Sequence, residues 1–311
     1  MAKIAFTFAG QGAQYVGMGK EFYDNFKEVR QLFDGAGDIL GYDVKKLCFE
    51  GPEDELKKTE NTQPTVFMIG VAAMKVLELS GILPDMTAGL SLGEYGALCA
   101  AKCITFEDGL ALVQKRARFM QQAVPLGKGG MAAILGLNQE QVIACCDKAA
   151  SIGIVEPANY NCPGQIVLSG EIEAVKEACR IAKDMGAKRA VPLAVSAPFH
   201  CSMLGTAAEK LGNELDKAEV KDPSIPVISN VEAREVKDAQ HIKELLKKQV
   251  THSVKWQQSI EYMISKGVDT FIELGPGKIL TGFLRRIDKG MKMYNVEDMK
   301  SLENTLKGME I

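Results

Sequence analysis

Short apolar segments alternate with amphipathic stretches from one end of this chain to the other, and that alternation constrains its fold more than any other feature. Residues 3–8, 86–90, 226–229 and 270–274 read as buried strands. Helical periodicity covers 63–79, 92–101, 106–124, 203–218, 239–249 and 256–266. Strands separated by helices of this length predict βαβ units and a parallel sheet.

The middle of the chain breaks this rhythm. A strand over 131–137 leads into Asn138, which caps a helix running to about residue 150. Two strands, 154–161 and 165–168, are joined by Asn161-Cys162-Pro163-Gly164, a turn sequence. A helix over 171–185 and a strand over 187–193 complete the order β-α-β-β-α-β, which is ferredoxin-like. Gly127-Lys128-Gly129-Gly130 introduces the segment and Ser196-Ala197-Pro198 leaves it. The 311 residues make roughly two domains at ~150 residues each. The expectation is a large α/β domain, residues 1–126 and 196–311, with an inserted ferredoxin-like subdomain, residues 127–195.

Several function classes lose support at once. With 37 basic against 40 acidic residues, net charge is −3, which argues against a general nucleic-acid-binding role. No apolar run reaches the ~18 residues of a membrane span; the best, 65–79, is cut by Lys75 and Glu78. The apolar stretch 4–9 runs straight into Gly-Gln-Gly, too short for the core of a secretory signal. A cytoplasmic protein is expected, and the eight cysteines, none in a C-x-x-C pair, read as reduced structural thiols rather than a zinc site.

Gly89-Leu90-Ser91-Leu92-Gly93 is the strongest local signal, because it follows an apolar strand and opens a helical pattern. That is the context of a nucleophile elbow, and it makes the large domain α/β-hydrolase-like. The competing reading is a structural glycine-rich turn. A serine nucleophile needs a base, and the chain has three histidines. His241 lies among charged residues on a helix, His252 follows that helix, and His200 sits in a loop after a strand, in Val195-Ser196-Ala197-Pro198-Phe199-His200. His200 is the candidate; a satisfied buried histidine is its bland alternative. At roughly 100° per residue, Arg116 falls about 80° from the centre of the stripe Phe106, Leu110, Val113, Ala117, Met120. It is the cation nearest the buried side, where a guanidinium takes a carboxylate partner from protein or ligand. A helix arginine with its stem on apolar surface is the alternative. The loops Gly10-Gln11-Gly12 and Gly275-Pro276-Gly277-Lys278 fail the dinucleotide and Walker patterns at Tyr15 and Ile279, but suit a ligand crevice at strand ends.

In order and spacing, these pieces resemble the malonyl-CoA:acyl carrier protein transacylase family, the acyltransferases of fatty acid synthesis, over nearly the whole chain. The early Gly-Gln-Gly-x-Gln loop, the elbow followed by Glu94, Arg116, the run 159–165, the segment 195–202, Gln249 with Trp256, and Gly275-Pro276-Gly277 carry the resemblance. Two departures stand out: Leu90 where the family usually has His, and His252-Ser253 where Asn-Pro is frequent. The resemblance implies malonyl transfer from malonyl-CoA to the phosphopantetheine thiol of acyl carrier protein through an acyl-Ser91 intermediate. It implies His200 as base, oriented by backbone near Gln249 rather than by an acid. It gives backbone N–H groups of Gln11 and Leu92 as the oxyanion hole, Arg116 for the free carboxylate, Phe199 beside the α-carbon, and no metal or redox cofactor. An α/β-hydrolase esterase and a non-catalytic assembly subunit are the competing classes; the first expects its histidine late in the chain, the second a missing Ser91 or His200. For the carrier protein, Lys278, Arg285 and Lys289, spaced along what reads as one face of a C-terminal helix, form a candidate docking stripe. Arg286 flanks it and Lys188-Arg189 extends it.

Overall fold

The computed structural model describes residues 2–195 and 197–310. Ser196, the expected first residue after the insert, lies outside them. The fold is α/β. Five strands form one parallel sheet: β1 (Ile4–Phe8), β2 (Met86–Gly89), β7 (Val227–Ile228), β8 (Thr270–Leu274) and β9 (Lys292–Val296), in the order β7-β2-β1-β8-β9. Four more, β3 (Gly129–Leu135), β4 (Val155–Cys162), β5 (Gln165–Glu171) and β6 (Arg189–Pro192), make an antiparallel sheet in the order β4-β5-β3-β6. Phe8 pairs with both Gly89 and Leu274, so β1, β2 and β8 end level. Their carboxyl edge is the usual crevice of a parallel α/β sheet.

The expected helices form as α5 (Thr59–Leu79), α6 (Gly93–Ala100), α7 (Phe106–Ala123), α10 (Gly205–Lys217), α11 (Ala239–Gln249) and α12 (Trp256–Ser265). In the small sheet's segment, α8 (Gln139–Ala149) starts at Asn138, whose side chain forms a reciprocal capping box with Gln141, and α9 (Ile172–Asp184) follows β5. Four helices precede α5 where the sequence analysis assigns no element: α1 (Lys20–Asn25), α2 (Lys27–Leu40), α3 (Val44–Glu50) and α4 (Glu53–Leu56). Most are a turn or two long, and α2 carries Gly35 and Gly37 in its interior, which weakens its local signal. The stripe Val29, Phe33, Ala36, Leu40 holds α2 against the core all the same. Past β8, α13 (Ile279–Ile287), β9 and α14 (Met299–Gly308) close the chain.

The small sheet has two apolar faces. Ala132, Ile134, Val142, Val155, Leu168 and Ala178, among others, form a core with α8 and α9, while Met131, Ala133 and Val167 join the large core that includes Phe8 and Leu274. Backbone ties the two sheets together: Tyr160 donates to the Val254 carbonyl at 2.9 Å and Val254 to the Ala158 carbonyl at 2.8 Å. Among the described residues no helix is long and apolar enough to cross a membrane, and all eight cysteines are free thiols.

Glycine has opposite meanings at two positions. A Cβ at Gly93 would lie 2.1 Å from the Phe8 carbonyl oxygen, whereas one at Gly35 meets nothing within 4 Å. Gly35→Ala should therefore raise the urea midpoint by ~0.5–1 kcal/mol equivalent, since alanine lowers unfolded-chain entropy in a helix. Gly93→Ala should cost several-fold more, ~3 kcal/mol or above, because backbone has to move. Denaturation curves with similar midpoints for the two variants would contradict this packing.

Candidate active site

The site begins at the strand-to-helix turn. Leu90 N–H still donates to the Phe8 carbonyl at 3.1 Å, and then Ser91 turns the chain at φ 54°. That left-handed conformation costs a non-glycine residue about 1–3 kcal/mol, and the neighbours hold it. A Cβ at Gly89 would fall 1.9 Å from the Gly93 carbonyl carbon, so both glycines are needed for this turn to close. Asn230 clamps it: its Oδ1 accepts the Ser91 N–H at 2.6 Å and its Nδ2 donates to the Gly89 carbonyl at 2.7 Å.

His200 is also left-handed, at φ 62°, and buried. Its Nε2 lies 2.7 Å from Ser91 Oγ and its Nδ1 lies 2.8 Å from the Gln249 carbonyl oxygen. A carbonyl only accepts, so Nδ1 carries the proton and the bare Nε2 accepts the Ser91 hydroxyl proton. Burial, and after it the Arg116 charge, push the imidazole down to about 3, against backbone hydrogen bonding by Gln249 and His252. His200 is therefore a neutral base across the physiological range. The other two imidazoles bond elsewhere: His241 sits 3.5 Å from Glu232, and the exposed His252 ring lies 2.9 Å from the Lys248 carbonyl.

Arg116 goes deeper than its helical phase predicts. It is 1 % exposed, not at an edge. No protein carboxylate among the described residues forms an ion pair with it. Its Nη1 donates to Gln63 Oε1 at 2.6 Å, and its Nη2 to Gln249 Oε1 at 2.9 Å and to Ser91 Oγ at 3.0 Å. Its Nε is buried without a partner. The Tyr95 ring lies 5.8 Å below the guanidinium. Burial lowers its pKa, opposed by Tyr95 and Glu94, yet a guanidinium stays charged. Gln249 Nε2 in turn donates to Glu94 Oε2 at 2.7 Å and to the Ser91 carbonyl at 3.0 Å. Burial pushes the Glu94 carboxyl up to about 7, against hydrogen bonds from Gln249 and Asn230 and the Arg116 charge.

A cavity of about 290 Å³ opens over these groups, lined by Gln11, Leu92 and Phe199 as well as by Met131, Ile279 and Phe283. All the residues that sequence reasoning assigned to the reaction thus converge. It gave no role to Asn230, Gln63 or Glu94. Asn230 had one signal: it comes two residues after a short strand, at the edge where sites form.

The basic stripe is corrected. Lys278 precedes α13 and Lys289 follows it, because Asp288 leaves helical geometry at φ −149° and accepts the Gly290 N–H at 2.7 Å. The three side chains are exposed but do not share one helix face. Nor is α13 the last helix. Arg286 does not flank a free face; it donates to Gln165 Oε1 and to the Pro163 carbonyl, both at 2.7 Å.

Residues 5–304 match the acyl transferase domain family. The chain belongs to that family. It is 46 % identical to the malonyl CoA-acyl carrier protein transacylase of Bacillus subtilis over 97 % of this chain and 96 % of that one. The crystal structure of the Clostridium perfringens protein of the same name superposes with a TM-score of 0.96 at 50 % identity, covering 99 % of this chain and 98 % of that one. A malonyl-transacylase in complex with a type II polyketide synthase acyl-carrier protein superposes equally well, TM-score 0.96 at 41 % identity, over 99 % and 100 % of the two chains. As a member of this family the protein is an enzyme, an acyltransferase.

The depressed His200 imidazole has a stability consequence. Unfolded, it takes a proton near pH 6.5; folded, only near 3. Lowering the pH from 6.5 therefore costs stability at up to about 1.4 kcal/mol per unit. Between pH 7 and pH 5 the parent should lose about 2 kcal/mol more than His200→Gln, by urea denaturation. Nitrogen NMR should show His200 neutral with its proton on Nδ1 at pH 5; an imidazolium there would refute the assignment.

Proposed function

We propose that this enzyme moves a malonyl group from malonyl-CoA to the phosphopantetheine thiol of acyl carrier protein, through an ester on Ser91, in cytoplasmic fatty acid synthesis. One observation carries the choice of acyl group: Arg116, a buried cation with no counter-ion in contact among the described residues, donates to the Ser91 hydroxyl. The names of the relatives point the same way.

The residues divide the work as follows. His200 Nε2 takes the Ser91 proton as Oγ bonds to the thioester carbonyl carbon. The oxyanion receives the N–H groups of Gln11 and Leu92, neither of which donates to another described residue. The C–S bond then breaks and His200 returns its proton to the CoA thiolate. In the second half the carrier thiol gives its proton to His200 and attacks the ester, and Ser91 Oγ recovers the proton as it leaves. The Gln249 carbonyl keeps the imidazole in the working tautomer. Acyl transfer of this kind calls on no metal or redox cofactor, since proton and charge are handled by these groups. Phe199 narrows the space beside His200. For the carrier protein, the exposed Lys278, Arg285 and Lys289, with Lys188 and Arg189, are the proposed basic docking residues, without a common helix face.

Arg116 also sets the specificity. Acetyl leaves the guanidinium donors without the carboxylate they can hold, and buried donors left unpaired are expensive. Incubation with malonyl-CoA should add one malonyl mass to a peptide containing Ser91, and Ser91→Ala should abolish it. Labelling at Cys201 or Cys162 instead would sink the acyl-serine. Arg116→Ala should cost about 2–4 kcal/mol for malonyl, roughly 30- to 1000-fold in kcat/KM, and shift preference toward acetyl; an unchanged malonyl-to-acetyl ratio would reject the role.

A further inference from the structure

Glu94 and Arg116 are both at most 2 % exposed, and they do not touch. Gln249 stands between them. Its Oε1 accepts from Arg116 at 2.9 Å, and its Nε2 donates to Glu94 Oε2 at 2.7 Å. The amide turns its negative end to the cation and its positive end to the carboxylate. Glu94 is thus the counter-ion of Arg116 at one amide's remove. Its other donor is the Asn230 N–H at 3.1 Å, and no Lys or Arg pairs with it among the described residues.

We propose that Glu94 is a specificity-determining positioning residue: it balances Arg116 in the empty site and takes a proton from solvent when an acyl carboxylate docks on that arginine. This rests on the reading of Arg116 given above. The reason is charge balance in a dry pocket. An arriving carboxylate makes two anions about one cation, and repulsion between like charges favours the neutral acid. A neutral Glu94 still accepts the Gln249 N–H through its carbonyl oxygen, so the bridge survives. A neutral acyl group such as acetyl brings no charge and calls for no proton.

The surroundings leave Glu94 as the group that exchanges the proton. Burial pushes its carboxyl up to about 7, so both forms are within reach. Of its neighbours, His200 is held down at about 3 and Tyr95, on α6, is pushed up to about 12. Gln63 from α5 and Gln249 from α11 do not titrate. Lys247 and Lys248 on α11, and Glu232 and Arg234 on the loop after β7, are exposed.

The test uses the full chain with Ser91→Ala, so that thioesters bind without transfer. Calorimetric titrations at pH 7 in two buffers of different ionisation enthalpy should show uptake of roughly half a proton per malonyl-CoA and none with acetyl-CoA. The malonyl-CoA Kd should weaken with rising pH above 7, by up to about tenfold per unit, and the acetyl-CoA Kd should not. Adding Glu94→Gln should remove both the uptake and the slope while malonyl-CoA still binds. Equal uptake for the two thioesters, or uptake that persists in Glu94→Gln, overturns the proposal. Adding Arg116→Ala separates the two readings: unchanged malonyl-CoA affinity there defeats the role of Arg116 itself, whereas lost affinity with no uptake in its presence defeats only Glu94. If Glu94→Gln does not fold, infrared difference spectra of the Ser91→Ala chain decide. A protonated-carboxyl band that grows with malonyl-CoA and not with acetyl-CoA supports the proposal, and its absence overturns it.

Discussion

Gln249 is the residue on which the rest of the site depends. It ends α11, where the last carbonyls of a helix have no partner within the helix. That free carbonyl receives His200 Nδ1–H, doing for the imidazole what a carboxylate does in many serine enzymes. The same residue's side chain reaches Arg116, Glu94 and the Ser91 carbonyl. His200, Ser91 and Arg116 are therefore referenced to one helix terminus. A neutral orienting group has a physical consequence: an imidazolium at His200 would meet no carboxylate among the described residues, and the nearby Arg116 charge disfavours it.

Both reacting residues sit in the left-handed backbone region, and neither is glycine. The elbow keeps that geometry because its surroundings over-determine it: glycines at 89 and 93 closing against each other, the Phe8 carbonyl above Gly93, and the Asn230 amide bridging Ser91 N–H and Gly89. Asn230 also consumes the nucleophile's own N–H. Any oxyanion formed at Ser91 must then look to Leu92 and to the loop after β1, where Gln11 lies.

The half-exposed edge strand β9 was not read, but alternation and helical phase made the small sheet, four of the parallel sheet's five strands, the capped α8 and the elbow legible from residue order alone. They were legible because buried strands and long amphipathic helices declare their period locally. Glycine interrupts that period in α2, and α1, α3 and α4 are too short to show one. The docking stripe failed for the same reason in reverse. A seven-and-four spacing implies one face only if the helix continues, and Asp288 ends it with an interaction two residues on. Arg116 shows the limit of phase arithmetic. Its angle gave the side of α7, while its depth depends on Gln63 and Gln249, which are 53 and 133 residues away. Asn230 showed only its place after a short strand, because its role lies in a bond to a backbone 139 residues distant.

The small sheet completes the pocket rather than merely decorating the large one. Met131, Ala133, Asn161 and Val167 form one wall of the cavity, while the reacting groups stand on the parallel sheet's edge. Met131, Ala133 and Val167 belong to the same apolar core as Phe8 and Leu274, so this wall is packed against the domain that carries Ser91. Two bonds fix it near the site: Val254, shortly after Gln249, pairs with Ala158 and Tyr160 on β4. A third tie, from Arg286 on α13 to Pro163 and Gln165, closes the opposite end. Ile279 and Phe283 of that helix line the same cavity.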